Sequence, residues 1–444
     1  MSKAFIFSWS IILVLFIAPV AHAQDTSVRK LTLNEAIAAT LNNNKTARIA
    51  KLDEGIAQAN YRQTDAAFLP QVGFSYTAMT TNDPLNAFGY KLEQRLITPN
   101  DFNPALLNHP SGTSDVMTKL EVQQPLLNAD MLYARKGAEK QVEVYQYRGQ
   151  RTNEYLTFEV QKAWLQLQLA YKAASVLEDA LKTAQSVYKF TDDHYQQGLI
   201  QKSDVLNARV HLTSVESSLA KAKSNISNAS DYLSILMGTK TGVIYAIDDQ
   251  AEADQLIADT TLKVSDSRAD FMAMQKAIDA SNMMLKSNQM SYLPKLNAFG
   301  NYQYNDARLT GFGANSYMAG IQLSWDVFKG NARKSKIDAQ KLERDKLTEQ
   351  LALQKQQGQM ELNKAFRDLS DTMAEIVRDH AAVDQAAESM RILQNRYEQG
   401  LINTTDVLMA DTQLSQQKFA LAQAEFNQAV TKAYIQLLTS STNK

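Results

Sequence analysis

Tyr195-Gln196-Gln197-Gly198-Leu199-Ile200, with Asp204-Val205-Leu206 and Ala208 behind it, returns as Tyr397-Glu398-Gln399-Gly400-Leu401-Ile402, with Asp406-Val407-Leu408 and Ala410. The copies lie about two hundred residues apart, far beyond a solenoid period. Each interrupts what otherwise reads as one very long helix. A helical hairpin of that size, present twice, sets the architecture.

Ahead of the first copy, Leu156, Val160, Ala163, Leu167, Ala170, Ala174, Leu177, Leu181, Ala184 and Tyr188 alternate steps of four and three. That is a heptad seam. A second seam runs beside it through Leu165, Leu169, Ala173, Val176, Ala180, Val187 and Phe190. Two seams suit a helix with a neighbour on each side, as in a closed ring, although a helix inside an ordinary bundle reads similarly. The first long helix is expected from about Asp130 to Gln197, and the second from about Asn331 to Gln399. At about 1.5 Å per residue each reaches roughly 100 Å. The returning helices, from near Ser203 (read as the N-cap) to Gly238 and from about Thr404 to Leu438, are half as long. Helical segments at Leu31 to Phe68 and Ser267 to Met290 have the length to stack on their ends.

Between the helices lie alternating stretches: Pro70 to Met79, Met117 to Val122, Leu296 to Tyr304 and Met318 to Val327. With Gln124-Pro125-Leu126 continuing the second, each half has one hairpin of strands roughly ten residues long, the length of a tilted membrane strand. A small soluble sheet is the competing reading, and aromatic residues alternating with small ones favour the membrane. The organisation expected is a signal peptide (1–23), a first repeat (24–238), a connector (239–266) and a second repeat (267–444). Within the first repeat, 81–115 reads as a long surface loop. Lys3, the apolar run Phe5 to Val20 and Ala21-His22-Ala23 form the signal peptide pattern.

Cysteine is absent, which removes disulfides, thiolate metal sites and cysteine nucleophiles. The 46 Lys and Arg nearly balance the 47 Asp and Glu, which argues against a nucleic-acid partner. Spanning strands must close into a barrel, because an open edge in lipid leaves unpaired backbone groups. Four strands cannot close alone; two chains would supply about eight and leave little lumen, and three would supply about twelve. The fold expected is mainly α, a trimer with a transmembrane β-barrel continued by a long helical barrel.

At this point the residues resemble the TolC-like outer-membrane efflux family. The likeness rests on Leu31-Thr32-Leu33-Asn34-Glu35-Ala36-Ile37, on Leu69-Pro70 and Leu293-Pro294, on Gln124-Pro125-Leu126-Leu127, and on the two Tyr-x-x-Gly-Leu turns. It implies a homotrimeric channel in outer-membrane lipid that extends into the periplasm, docks a periplasmic adaptor and, through it, serves an inner-membrane transporter. No catalysis is expected. By matching positions, Gly198, Leu199, Gly400 and Leu401 would form the adaptor-docking tip, and Asp204, Tyr397 and Asp406 would hold the periplasmic gate. Three copies of Asp406 about 7 Å apart would repel by roughly 2 kcal/mol per pair and attract cations. The competing reading of both aspartates is a favourable charge in a first helical turn. Ile402 and Met409 stand where the family can place an arginine and a second aspartate. That leaves a bond between Tyr397 and Asp204 as the candidate link.

No cofactor or metal site is expected: there is no phosphate-binding glycine loop, nucleophile elbow or metalloprotease motif. His194, His211 and His380 are scattered. Met272, Met283 and Met290 share a helical face, for which core packing is the simpler reading over soft-metal handling. A non-conducting coiled-coil protein of the envelope is the alternative function.

Overall fold

The computed structural model describes residues 28–247 and 263–441. The expected signal peptide and residues 248–262 of the connector lie outside them. A short strand β1 (Val28–Leu31) leads into α1 (Leu33–Asn43) and α2 (Lys45–Gln63). Strand β2 (Gln71–Thr81) follows, then α3 (Pro84–Glu93), α4 (Pro104–Asn108) and β3 (Thr113–Leu127). Helix α5 runs from Ala129 to Gln196 and α6 from Lys202 to Leu236, before strand β4 (Ile244–Ile247). The second half holds α7 (Ala269–Met290), β5 (Lys295–Asp306), β6 (Ala314–Ser324), α8 (Ala332–Glu398) and α9 (Thr404–Thr439).

The seams of α5 explain its position. Val160, Ala163, Leu167, Ala170 and Ala174 are buried against α6 and the β1–β4 pair, while Phe158 packs with Ala433 and Leu437 of α9. Helix α5 therefore has α2 and α6 on one flank and α7 and α9 on the other, and α8 packs beyond them. The helices form a wall of four rods, two of them continuous and two built from stacked pieces.

The stacking depends on one side chain. The expected helix from Leu31 to Phe68 is broken at Asn44, whose backbone is extended (ψ 134°). Asn44 Oδ1 accepts from Thr46 N and so caps α2, while its Nδ2 donates to the Leu236 carbonyl at the end of α6, 2.7 Å away. Gly238 (φ +66°) turns the chain out of α6 against the Asn43 carbonyl. At the matching joint of the second half, Arg151 of α5 donates to the Leu437 carbonyl and Ser440 Oγ at the end of α9.

Three other expectations are corrected. The segment 81–115 is not plain loop: Asp83 caps α3, with Pro84 in its first turn, and α4 follows. Helix α6 starts at Lys202 with Gln201 as its cap, not Ser203. Part of the connector is ordered as β4, parallel to β1 and held by Tyr171 Oη donating to the Tyr245 carbonyl.

The remaining strands form one antiparallel sheet in the order β2-β3-β5-β6, with both outer edges unpaired within the chain. Register separates its faces. Val72, Phe74, Leu120, Val122, Tyr302, Tyr317, Ile321 and Leu323 share one face; Ser75, Lys119, Glu121, Gln123, Asn301 and Gln303 share the other. An apolar, aromatic face opposite a polar one is the pattern of a barrel wall between lipid and lumen. No helix among the described residues is long and apolar enough to cross a membrane.

Candidate periplasmic gate and tip

Both hairpin turns fold by the same device. Gly198 N bonds to the Tyr195 carbonyl and Leu199 N to the His194 carbonyl, both at 2.9 Å. Gly400 and Leu401 repeat this on Tyr397 and Arg396 at the same distance. These paired bonds close a helix C-terminus only if the glycine adopts positive φ, here +74° and +72°. The leucines that follow are left in solvent, 64 % and 61 % exposed.

The two aspartates occupy equivalent positions three residues into the returning helices. Asp204 Oδ2 accepts from Gln201 N and Asp406 Oδ2 from Asn403 N, each at 3.3 Å. Both therefore cap their own helices and complement the positive helix end.

Tyr397 is only 6 % exposed and does not meet Asp204 within the chain. Thr191 Oγ1 donates to the Val187 carbonyl at 2.6 Å, so it receives the Tyr397 hydroxyl proton at 2.7 Å, and Thr404 Oγ1 donates to Tyr397 Oη at 3.0 Å. This hydroxyl chain ties α5, α8 and α9 together. Around it Val187, Met390, Val407 and Leu408 are buried, and the Phe190 ring lies tilted against the Tyr397 ring, with centroids 4.8 Å apart. Ile402 packs into the same cluster, whereas Met409 points outward.

A polar link that sequence reasoning missed lies slightly deeper. His211 Nε2 of α6 stands 3.3 Å from Asp411 Oδ2 of α9, and Asp411 is buried. The available signal was positional, since both residues follow their tip glycines by similar intervals. His194 instead bonds the Phe190 carbonyl of its own helix. Among the described residues no group of three His, Cys, Asp or Glu is placed to hold a metal.

A four-rod helical wall ending in two such turns, joined to a two-faced sheet, is one segment of a membrane duct. A model of the family "Outer membrane efflux protein" matches residues 36–239 and 263–441, and the chain belongs to that family. It is 22% identical over 403 residues to the cation efflux system protein CusC of Escherichia coli (strain K12), over 88% of this chain and 81% of that one. Outer membrane protein TolC of the same organism is 21% identical over 291 residues, 61% of this chain and 59% of the other. Among solved structures, CusC superposes with a TM-score of 0.77 at 17% identity, covering 92% of both chains. VceC of Vibrio cholerae gives 0.72 at 17% identity, covering 93% of this chain and 97% of that one. The protein is an outer-membrane efflux channel whose helices extend into the periplasm.

Proposed function

We propose that three copies of the chain close into one passive exit duct, fed by an inner-membrane transporter through a periplasmic adaptor. The observation that carries this is the incompleteness of a single wall. Its sheet ends in two unpaired edges. Its helical edges are apolar: Ile49, Leu52, Ile56, Leu206 and Val210 are exposed on α2 and α6, and Leu342, Leu353, Met360, Met373 and Val377 on α8. Joining one edge to the other around a three-fold axis covers both and yields about twelve strands. The two repeats, 24–238 and 267–444, would each contribute one strand hairpin and one helical hairpin, with 239–266 as the connector. The purified protein should have the mass of three chains in detergent and form channels in a planar bilayer. A single chain with no conductance would overturn the proposal.

Leu199 and Leu401, presented by Gly198 and Gly400, are the apolar contacts offered to the adaptor. Asp204, Tyr397 and Asp406 form the gate behind them. Tyr397→Phe removes the middle of the hydroxyl chain, at a cost of about 1 kcal/mol to the closed tip. Open probability in single-channel records should rise roughly fivefold; an unchanged value would remove Tyr397 from the gate. Asp406→Ala should weaken block of the current by divalent cations added on the tip side, because three carboxylates around the axis concentrate cations there. Block as strong as in the parent channel would leave Asp406 as a helix cap alone.

A further inference from the structure

The two turns at the outer end of the sheet fold to opposite faces. The turn between β5 and β6 lies over the apolar face: Tyr76 Oη donates to the Leu309 carbonyl, and Phe312 meets the Tyr304 ring edge-on at 5.6 Å. The segment between β2 and β3 goes the other way. Gln94 Nε2, just past α3, donates to Asp115 Oδ1 and to the Ser114 carbonyl, each at 2.8 Å. Asn305 Nδ2 donates to Asp115 Oδ2 at 2.9 Å, and Tyr90 Oη reaches Met79 Sδ at 3.6 Å. Met79, Asp115 and Asn305 share the register phase of Lys119 and Glu121, the polar face. Helix α3 therefore sits on the lumen side of the wall at its outer end. Arg95 holds it there, taking positive φ (+56°) and donating from Nη2 to the Asn315 carbonyl at 2.8 Å.

The polarity of α3 is the reverse of what a wet pore would select. Ala87 and Gln94, seven residues apart and buried, face the wall. Leu85 and Leu92, with the same spacing, fall on the opposite side of the helix at about 100° per residue. They are 80 % and 59 % exposed in the single chain. Something apolar must cover them, and the sheet determines what. Its open edges continue into further copies, so copies of α3 face one another across a common axis. Twelve strands about 4.8 Å apart and tilted about 40° make a barrel roughly 24 Å across between backbones, and the side chains on its inner face leave a narrower bore. Three helices about 10 Å wide, packed together, span roughly 22 Å, enough to cover that bore at its mouth.

We propose that residues 84–108 form a plug at the outer mouth, in which three copies of α3 meet through Leu85 and Leu92 and close the bore. This rests on the trimeric reading above. The channel would then have a second closure, independent of the tip, whose sealing partner is the same segment of each neighbouring chain.

Because the chain has no cysteine, one introduced thiol is a clean probe. In purified protein treated with a short bis-maleimide, Leu92→Cys should give covalently paired chains, and Leu309→Cys on the outer turn should not. Native mass separates the two readings. Three chains per particle with Leu92→Cys uncrosslinked overturns the plug alone; one chain per particle overturns the trimer and the plug with it. The closure has its own readout at Ser75→Cys, on the lumen face below α3. A polymer-linked maleimide added outside intact cells should label it at least about tenfold faster once Leu85→Glu and Leu92→Glu are added. Equal rates in the two backgrounds would show that the bore is not closed there.

Discussion

Gly238→Ala is expected to lower stability by about 3 kcal/mol and to loosen the joint between α6 and α2. The residue closes α6 through bonds from Gly238 N to the Ile235 carbonyl and from Thr239 N to the Ser234 carbonyl. That closure requires φ of +66°, which an L side chain adopts at a cost of about 1 kcal/mol. A methyl group there would also lie 2.6 Å from the Asn43 carbonyl oxygen, a backbone atom that cannot rotate away. The two helices must separate, and the Asn44 bond to Leu236 goes with them. Amide exchange at 44–46 and 236–239 should accelerate, with little change near the tip. Gly55→Ala is the control: it lies within α2, with open space where the methyl would go. That substitution should stabilise slightly, because alanine loses less entropy in a helix. If both variants melt together with the parent, the joint contributes nothing.

Asp270→Ala should also cost about 3 kcal/mol, because it leaves a buried charge without its partner. Arg268, 4 % exposed, donates from Nε and Nη2 to the two Asp270 oxygens at 2.7 Å each, and its guanidinium lies 4.1 Å above the Phe271 ring. Gln354 Nε2 adds a third bond to Asp270, at 2.9 Å, from α8. Burial pushes the Asp270 carboxyl upward, but the bonds and charge attraction from Arg268, with Arg151 behind it, outweigh burial and hold it below the ordinary carboxylate range. The sign follows from that direction. An unfolded chain, with its aspartate near 3.9, takes up the proton first. The stabilisation is complete above that pH and disappears as pH falls through the depressed folded value. The penalty of Asp270→Asn in thermal melts should therefore be larger near neutrality than at about pH 3. A penalty independent of pH would show that packing, not charge, is what Asp270 supplies.

The long helices were readable because a heptad seam is sustained over many turns, although the seam alone fitted a bundle as well as a ring, and the sheet because polar and apolar residues alternate in four stretches. The breaks were harder. Asn44 ends a run of three asparagines, a cap signal hidden inside a segment whose apolar pattern continues on both sides. Strands β1 and β4 have four residues each and are anchored through Tyr245 by Tyr171, Ser230 and Ser234, which no local pattern encodes. In 81–115, asparagine and proline suggested loop, yet Asp83-Pro84 is itself a helix start. At the tip, the glycines, leucines and aspartates could be placed by their duplication. The partners of Tyr397 could not: its two threonines come from α5 and α9, and one lies about two hundred positions away. Only the folded chain brings such residues together.

The joints at Asn44 and Arg151 bear on how force travels along the duct. In α5 and α8, torque applied at the periplasmic end passes through an unbroken ladder of backbone bonds to the membrane. In the composite rods that ladder is interrupted, and load passes through side-chain bonds instead: Asn44 to the end of α6 and Arg151 to the end of α9. Spin labels on either side of Asn44 should therefore report unequal displacement when the tip is forced open. Under the gate proposed above, such an interruption would let the aperture widen without shearing the barrel embedded in lipid.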